Sequence, residues 1–381
     1  MSIKLSTPLR VLSVSLATAA ASPAYAEYGL NMTRGVTPFS SEVYDLHMTI
    51  LWICVAIGAV VFGAMFYSMF AHRKSRGHEA AQFSHSTKAE ILWTIIPILI
   101  LVAMAVPATK TLILMEQTGD TDMTVKITGY QWKWRYDYIE DGISFLSTMD
   151  PASNAARQLG SGIDPASVPN YLLEVDNHVV LPTNTKIRFL ITADDVLHAW
   201  WIPEFGWKRD AIPGKVNEGW TYIEEPGIYR GQCAELCGKD HGFMPIVVDA
   251  RSPEAYQAWV AEQQAEQVAE AAQAEREWSH AELFERGKGV YERQCAACHQ
   301  LDGEGLAPAF PALAGSPVAA GPVDEHLEVV LNGRPGTAMQ AFGNSLSEAD
   351  IAAALTYTRN AWGNNDPEPV QPKAVMEAKR G

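Results

Sequence analysis

The sequence predicts a multidomain membrane protein with three parts: a two-helix transmembrane hairpin, an all-β sandwich and a small all-α domain. Three observations predict this fold class. Two long uncharged apolar runs lie near the N-terminus, short runs rich in Val, Ile, Tyr, Trp and Thr follow, and helical patterns dominate after residue 252. At 381 residues, the chain is long enough for two or three globular units of about 100–200 residues.

The charge is divided between the same parts. Residues 1–115 carry a net charge of +3 and residues 116–381 a net charge of −18, for −15 overall. The acidic part argues against a nucleic-acid partner, because phosphate binding needs clustered cations, and it suits a basic protein partner. With 48% hydrophobic and 19% charged residues, the composition also excludes a disordered, collagen-like or coiled-coil chain.

Residues 1–26 are predicted to be a cleaved secretory signal. Lys4 and Arg10 precede a weakly apolar stretch, and the Ala-Tyr-Ala sequence that ends at Ala26 supplies the small residues of a cleavage site. An uncleaved membrane helix is the alternative. The apolar stretch is too short for it, because a helix must span about 30 Å of hydrocarbon.

Two apolar runs within residues 27–115 predict the transmembrane hairpin. Met48–Ala71 has 24 residues without a charge and Ile91–Thr109 has 19, so we expect helices at about 46–71 and 91–114. The polar loop between them carries four basic residues, which makes two buried core helices the weaker alternative. The positive-inside rule places this loop in the cytoplasm. The N-terminus and everything after the hairpin would then face the periplasmic side of a bacterial-type inner membrane.

Residues 116–251 are predicted to form the β-sandwich, because short strand-like runs alternate with turn residues. The runs are Met123–Thr128, Tyr130–Tyr138, Lys186–Thr192, Trp220–Ile223 and Met244–Val248. An insertion at about 141–170 is rich in Ser, Ala, Gly and Pro. We expect this insertion to loop out from the sandwich.

A group of sulfur and imidazole side chains in the sandwich indicates a metal site. Its members are His198, Cys233, Cys237, His241 and Met244. Thiolate, thioether and imidazole together favour copper over magnesium or calcium, and a mononuclear blue-copper site would use a single Cys. Two thiolates can instead bridge two coppers, each with one His, while Met244 completes one copper and the backbone carbonyl of Glu235 completes the other.

Two other interpretations of this group remain open. An oxidising export compartment would permit a disulfide between Cys233 and Cys237. Zinc could use the two Cys and two His, although the ligand spacing differs from that of common zinc motifs, which contain no Met. The nearby His241 and Met244 favour copper over both.

Residues 252–279 are predicted to be a helical linker. Ser252 and Pro253 form an N-cap and first-turn signal, and Glu262, Glu266 and Glu270 recur at a spacing at which like charges repel. We therefore expect a solvated, semi-rigid spacer. A disordered tether is the alternative.

The motif Cys295-Ala-Ala-Cys298-His299 predicts covalent haem attachment in a domain at 280–365. In such a motif both thiols add to the haem vinyl groups, and the adjacent His supplies an axial nitrogen to iron. A disulfide or a thioredoxin-like motif would leave His299 unexplained.

Met339 is the predicted second axial ligand of the haem iron, because electron-transfer haems use a Met or a His there. It lies in a loop between two helical patterns, Asp324–Leu331 and Ser347–Trp362. His326 is the alternative ligand, although we expect it on a helix surface. The last residues, 366–381, are predicted to be a tail.

These motifs make the chain resemble subunit II of the haem–copper cytochrome c oxidases with a fused class I cytochrome c domain, the caa type. The subunit II resemblance spans about 37–251 and the cytochrome c resemblance 280–362. Further motifs that carry it are Glu90-x-x-Trp93-Thr-x-x-Pro97, Tyr130–Tyr138, Lys208–Gly214 and Gly303–Pro311. The resemblance implies a cupredoxin-like sandwich. It also implies that electrons pass from cytochrome c through haem c and dinuclear copper A to subunit I, where oxygen is reduced to water with proton pumping.

The resemblance also implies roles for individual residues. The copper A ligands would be His198, Cys233, Glu235 through its carbonyl, Cys237, His241 and Met244. The Glu235 carboxylate would reach a Mg²⁺ shared with subunit I, and Glu90 would stand at the mouth of a proton channel there. Trp132 would be the surface aromatic through which electrons enter, while Trp134 fits a core position.

The partners implied are subunit I, subunit III and cytochrome c, with no nucleic acid. The oxygen-reducing site would be on another chain, so no residue here is predicted to be catalytic. Two alternatives are a membrane-tethered electron carrier and the electron-accepting component of a nitrogen-oxide reductase. Quinol oxidases are disfavoured, because such relatives have lost copper ligands that this sequence retains.

Overall fold

A computed structural model of the protein describes residues 31–77, 79 and 81–380, so the predicted signal at 1–26 lies outside the described residues. Its first elements are two long helices, α1 (Pro38–Ala71) and α2 (Thr87–Met115). Their most apolar windows have mean hydropathies of 2.4 and 2.5 and are fully uncovered by the rest of the protein. The predicted hairpin is confirmed, and both helices begin earlier than predicted because Thr37 and Ser86 cap them.

Ten strands form the predicted β domain. They are β1 (Met123–Tyr130), β2 (Lys133–Tyr138), β3 (Ile143–Ser147), β4 (Val179–Pro182), β5 (Lys186–Ala193), β6 (His198–Ile202), β7 (Trp207–Ala211), β8 (Asn217–Tyr222), β9 (Gly227–Gln232) and β10 (Pro245–Arg251). One sheet has the order β3-β2-β1-β5-β8, a second has the order β4-β10-β9, and β6 and β7 form a two-stranded ribbon.

Parallel and antiparallel pairs are combined in these sheets. β1 runs parallel to β5 with Val125 opposite Phe189, and β10 runs parallel to β4. Val125, Phe189 and Val248 are fully buried in one hydrophobic core that both sheets share. The all-β architecture is therefore confirmed, and its inward-facing side chains alternate as in a sandwich.

The expectation that the insertion at 141–170 loops out is wrong for its first half. β3 pairs with β2 at the edge of the larger sheet and buries Ile143 and Leu146. A short helix, α3 (Pro151–Ala156), follows with Asp150 as its N-cap. The physical reason is the alternation of apolar side chains in β3, which the Ser- and Gly-rich composition of the whole segment obscures.

The predicted linker helix is present as α4 (Pro253–Gln273), but it is only partly solvated. Tyr256, Trp259 and Val260 are buried against the sandwich, where the Trp259 ring lies 5.2 Å from the Tyr138 ring. The first half of the linker is therefore part of the β domain. The apolar side chains at the start of α4 decide this, because they recur on one helix face.

Five helices form the C-terminal domain: α5 (His280–Gln294), α6 (Ala296–His299), α7 (Val323–Asn332), α8 (Glu348–Thr358) and α9 (Pro372–Arg380). α5 packs closely on α8 at Gly287, where any Cβ would overlap the Ala353 carbonyl. The expectation of a simple tail after residue 366 is wrong. α9 buries Val375, and Lys379 pairs with Glu348 of α8 at 2.9 Å.

Candidate copper and haem sites

The predicted copper ligands of the loop between β9 and β10 converge around one sulfur atom. Cys237 Sγ lies 3.9 Å from Cys233 Sγ and 3.5 Å from both His241 Nδ1 and Met244 Sδ. The Glu235 carbonyl oxygen lies 3.4 Å from Cys233 Sγ. Both cysteines are unpaired within the part of the chain that the structure describes, so this geometry does not match the disulfide interpretation.

His198 reaches the same site from β6. Its ligand atom lies within 4.8 Å of those of Cys233 and Cys237. His198 Nε2 is 2.9 Å from a carboxylate oxygen of Asp195, whereas the buried Nδ1 has no hydrogen-bond partner among the described residues. A carboxylate on one ring nitrogen and an open position on the other are typical of a metal-ligating His. The residues present therefore fit a metal.

Space for the His198 ring depends on a glycine of β1. A Cβ at Gly129 would lie 2.9 to 3.2 Å from ring and Cβ atoms of His198. Real side-chain carbons do not approach so closely without displacing a neighbour. Gly129 therefore leaves room beside β1 for the His198 side chain.

The electrostatics of the cysteine pair favour a thiolate at the site. The hydrogen bond with Cys237 lowers the pKa of Cys233. Burial raises this pKa, and the His198 imidazole lowers it further. The same hydrogen bond raises the pKa of Cys237, and burial raises it further. The pair thus releases its first proton readily and keeps the second, and a bound cation would replace the second proton. The buried Met244 thioether makes the donor set softer than zinc requires.

The insertion supports the copper-binding loop through one ion pair. Arg157 donates to the Asp240 carboxylate at 3.1 Å, and its guanidinium lies 4.3 Å from the ring centroid of Phe243. The Asp240 side chain is 4% exposed and that of Arg157 is 15% exposed. The sequence gives no signal for this pair, because its members are 83 positions apart. Arg157 is therefore a supporting residue that sequence reasoning missed.

Replacement of Arg157 by Met is expected to destabilise the copper domain by about 3–5 kcal/mol, because it leaves the Asp240 carboxylate buried without a partner. The thermal transition of the copper absorbance should move to lower temperature. Lys208→Met is the matched control, since Lys208 pairs with Asp210 where both side chains are more than 40% exposed. This control should cost less than about 1 kcal/mol. Equal transition temperatures for the two variants would contradict the proposed support.

The haem-attachment motif spans the end of α5 and α6. Cys295 and Cys298 are unpaired and half-buried in the described chain, and His299 is 9% exposed. His299 Nδ1 lies 2.8 Å from the Pro311 carbonyl oxygen, which leaves Nε2 for an iron ion. Burial lowers the pKa of His299, so its imidazole is neutral at pH 7. These residues fit a covalently bound haem.

Of the two candidates for the second axial haem ligand, Met339 lies where it was expected and His326 does not. Met339 is half-buried in the predicted loop, where its carbonyl accepts from the Arg334 N–H at 2.9 Å. His326 is 5% exposed, so the expectation of a helix-surface position is wrong. Within the described residues its Nδ1 is buried without a hydrogen-bond partner, and burial together with the Arg359 charge lowers the pKa of His326 to about 4. α7 turns this imidazole inward because its apolar face packs on the domain core.

Trp132 is buried and not the surface aromatic that was expected. It is 7% exposed, and its ring lies 6.4 Å from the Phe310 ring of the C-terminal domain in an edge-to-face arrangement. Its Nε1 donates to the Cys237 carbonyl at 3.2 Å. Trp134 occupies the core as expected, fully buried with its ring 5.9 Å from that of His198. Phe310 is a contact residue to which sequence reasoning assigned no role.

Glu90 and Glu235, the two carboxylates to which the resemblance assigns roles, both remain accessible to solvent in this chain. Glu90 is exposed in the first turn of α2, where its carbonyl accepts from the Thr94 hydroxyl at 2.8 Å. The Glu235 side chain is half-exposed. The roles implied for both carboxylates require a second chain, so they stay predictions.

Comparisons with known proteins follow the same division of the chain. Residues 25–111 match the family described as cytochrome C oxidase subunit II, transmembrane domain, and residues 123–251 match its periplasmic domain. The chain is 41% identical over 226 residues to the probable cytochrome c oxidase subunit 2 of Rickettsia prowazekii, which covers 59% of this chain and 69% of the relative. The chain belongs to the cytochrome c oxidase subunit II family.

A second subunit II relative is cytochrome c oxidase subunit 2 of Cereibacter sphaeroides, 36% identical over 240 residues, or 61% of this chain and 79% of the relative. A solved structure, the periplasmic domain of subunit II of cytochrome oxidase (CoxB) of Bradyrhizobium japonicum, shares 38% identity. It covers 39% of this chain and 99% of its own, with a TM-score of 0.35.

Residues 281–357 match a third family, described as cytochrome C oxidase, cbb3-type, subunit III. This match confirms the predicted fusion of a subunit II to a cytochrome c domain. The protein is thus a membrane-bound subunit of an oxidoreductase complex, with a periplasmic-type copper domain and a haem domain.

Proposed function

We propose that this subunit II receives electrons from cytochrome c at a covalent haem c and passes them through dinuclear copper A to subunit I. There the haem–copper centre would reduce oxygen to water with proton pumping. Haem c and copper A supply the one-electron redox chemistry when bound. The residues of this chain hold the two groups, exclude water from them and bring them together.

One observation carries this proposal: the haem-attachment motif lies directly against the copper-binding loop. Lys239 Nζ, between two predicted copper ligands, donates to the carbonyl of Ala297 between the haem cysteines, at 2.8 Å. Beside this contact, the Trp132 indole bonds to the Cys237 carbonyl and meets Phe310. Trp132 would then carry electrons between the domains and not from a separate protein.

The donor groups of the site support specific roles. The Cys233 and Cys237 sulfurs would bridge two coppers, with His198 and His241 each binding one. Met244 and the Glu235 carbonyl would complete the two coordination spheres. Asp195 would hold His198 in the tautomer that leaves Nδ1 free, because it accepts the Nε2 proton. Met339 would be the second axial haem ligand, with His326 as the alternative.

The partners and location follow from the family and from charge. Subunits I and III would surround the hairpin, and the Glu235 carboxylate would share a Mg²⁺ with subunit I. Basic residues Arg73, Lys74, Arg76 and Lys88 between the spans support a cytoplasmic loop, so that the N-terminus and both redox domains face the periplasm of an inner membrane.

A detergent pull-down of the full chain tests the proposal. We expect co-purification with a large multi-span haem–copper subunit that consumes oxygen when cytochrome c is supplied. A tethered carrier would be recovered free of any haem–copper polypeptide. An electron-accepting component of a nitrogen-oxide reductase would instead bring down a complex that reduces nitrogen oxides and does not consume oxygen.

Electron delivery by a basic cytochrome c is expected to slow as salt rises, because residues 116–381 carry a net charge of −18. The screening length falls from about 30 Å at 0.01 M to about 8 Å at 0.15 M salt. We expect the second-order rate constant to fall about tenfold or more over this range. Stopped-flow reduction measures it, with an uncharged small reductant as the control. If the rate constant for reduction by cytochrome c did not depend on salt, docking of a basic donor on the acidic domains would be contradicted.

Replacement of Glu90 by Gln is expected to lower turnover and proton pumping several-fold, because the carboxylate at the start of α2 would no longer accept and release protons. Oxygen uptake and proton release by the complex in vesicles measure the effect. Glu79→Gln is the matched control, an exposed carboxylate in the loop that precedes α2. Unchanged turnover and pumping in Glu90→Gln would remove Glu90 from the proton path.

A further inference from the structure

The turn between β1 and β2 contacts the copper-binding loop. Tyr130 pairs with Lys133 at the ends of these antiparallel strands, so Gln131 and Trp132 form a two-residue turn. The Gln131 side chain donates from Nε2 to the Cys237 carbonyl oxygen at 2.8 Å. A turn of the larger sheet therefore holds the backbone of a predicted copper ligand.

The backbone of Gln131 also supports the predicted histidine ligand on β6. Its N–H donates to Asp195 Oδ2 at 2.7 Å, and the other oxygen of that carboxylate lies 2.9 Å from His198 Nε2. The Asp195 side chain is 17% exposed and that of His198 is fully buried, so water competes little for these hydrogen bonds. Gln131 is thus linked to Cys237 directly and to His198 through Asp195.

The copper-binding loop leaves space for the Gln131 side chain. Gly238 directly follows Cys237, and a Cβ there would lie 2.9 Å from Gln131 Nε2. The φ angle of Gly238 is +116°, a conformation that also favours glycine. The same Cys237 carbonyl accepts a longer hydrogen bond, 3.2 Å, from Trp132 Nε1. The carbonyl therefore keeps one donor when the Gln131 amide is removed.

We propose that Gln131 is a positioning residue for the copper centre, which fixes the Cys237 sulfur relative to the His198 imidazole by holding both from one turn. This inference rests on the proposed function, because it takes Cys237 and His198 as copper ligands, and it adds a residue that binds no metal itself. The two ligands come from different segments of the chain. A shared outer-shell anchor limits how far they move apart when the centre gains or loses an electron.

Competition with a Cu⁺ chelator, applied to the reduced full chain in detergent, tests this role. In Gln131→Met, which keeps the length of the side chain and removes its donor, we expect copper affinity to fall by about 10–100-fold. Gln131→Glu should also lose affinity, although its negative charge alone would attract copper. Gln264→Met is the matched control, because Gln264 donates to the Asp141 carbonyl at 2.8 Å, outside the copper-binding loop. This control should keep the affinity of the unmodified chain.

A coupling experiment separates one shared anchor from two independent supports. Asp195→Asn alone should weaken copper binding, because it changes the support of His198. In the double variant with Gln131→Met, the two fold-losses should not multiply, since residues of one hydrogen-bond network act non-additively. The mixed-valence signal should change its hyperfine pattern in Gln131→Met and keep it in Gln264→Met.

Three results would overturn the inference. The first is an unmodified copper affinity in Gln131→Met or Gln131→Glu, and the second is a pair of losses that multiply in the double variant. The third is a metal-free Gln131→Met chain that is unfolded by circular dichroism at the assay temperature, because copper loss would then follow from unfolding. Failure of the proposed function looks different, since haem c would then not reduce copper in the unmodified complex, whatever the affinities of these variants.

Discussion

Replacement of Cys237 by Ser is expected to abolish the copper centre and to lower oxidase turnover by more than about 100-fold. Loss of a residue that only hydrogen-bonds to a metal ligand already costs about 10–100-fold in metal affinity, and Cys237 is a predicted ligand itself. Cys237 Sγ is the atom on which the site converges. It lies within 3.9 Å of the Cys233 sulfur and 3.5 Å of the His241 nitrogen and Met244 sulfur. A serine oxygen is too hard a donor to replace a thiolate between two coppers.

Metal analysis and electron paramagnetic resonance of the purified complex measure this loss. The unmodified chain should hold two coppers with a mixed-valence signal, and Cys237→Ser should lose that signal, as should His241→Ala. Cys54→Ser is the matched control, because Cys54 lies on α1, outside the copper domain, and is exposed in this chain. Two coppers and an intact mixed-valence signal in Cys237→Ser would contradict the bridging role.

Replacement of Cys295 and Cys298 by Ala is expected to remove all covalently held haem. Thioether bonds survive denaturation, so the unmodified chain should keep its haem colour on a denaturing gel and the double variant should show none. Electron delivery from cytochrome c to copper should fall in the double variant, because the electrons would reach copper through the haem. Loss of colour from the denatured unmodified chain would itself contradict covalent attachment.

The second axial ligand is decided by a pair of variants that keep the covalent haem. Met339→Leu should change the visible spectrum and the reduction potential of haem c, because a Met ligand raises the potential. His326→Gln should leave the spectrum unchanged. The reverse result would assign the iron to His326, whose buried imidazole is neutral at pH 7.

Local sequence patterns were sufficient to predict the hairpin, the strands and the ligand motifs of this protein. The transmembrane hairpin follows from uninterrupted apolar runs, and the strands follow from alternation and turn residues. Most of each predicted ligand set follows from chemistry at short spacing: Cys233 to Met244 lie in one loop, and Cys295 to His299 are contiguous, whereas His198 and Met339 lie farther away along the chain. Each of these signals is contained within about 25 residues, so no knowledge of the fold is needed to recognise it.

The tertiary structure alone decided how these parts are covered and supported. Arg157 pairs with Asp240 across 83 positions, Trp132 is buried by Phe310, and α7 turns His326 inward. A sequence pattern records which side chains one element presents, whereas exposure depends on which distant element removes water from them. The sequence therefore determined the membrane anchor, and it predicted the copper and haem ligand types and their order along the chain. Only the contact between the two folded domains decided that Trp132 is covered and that Lys133 and Lys239 join the domains.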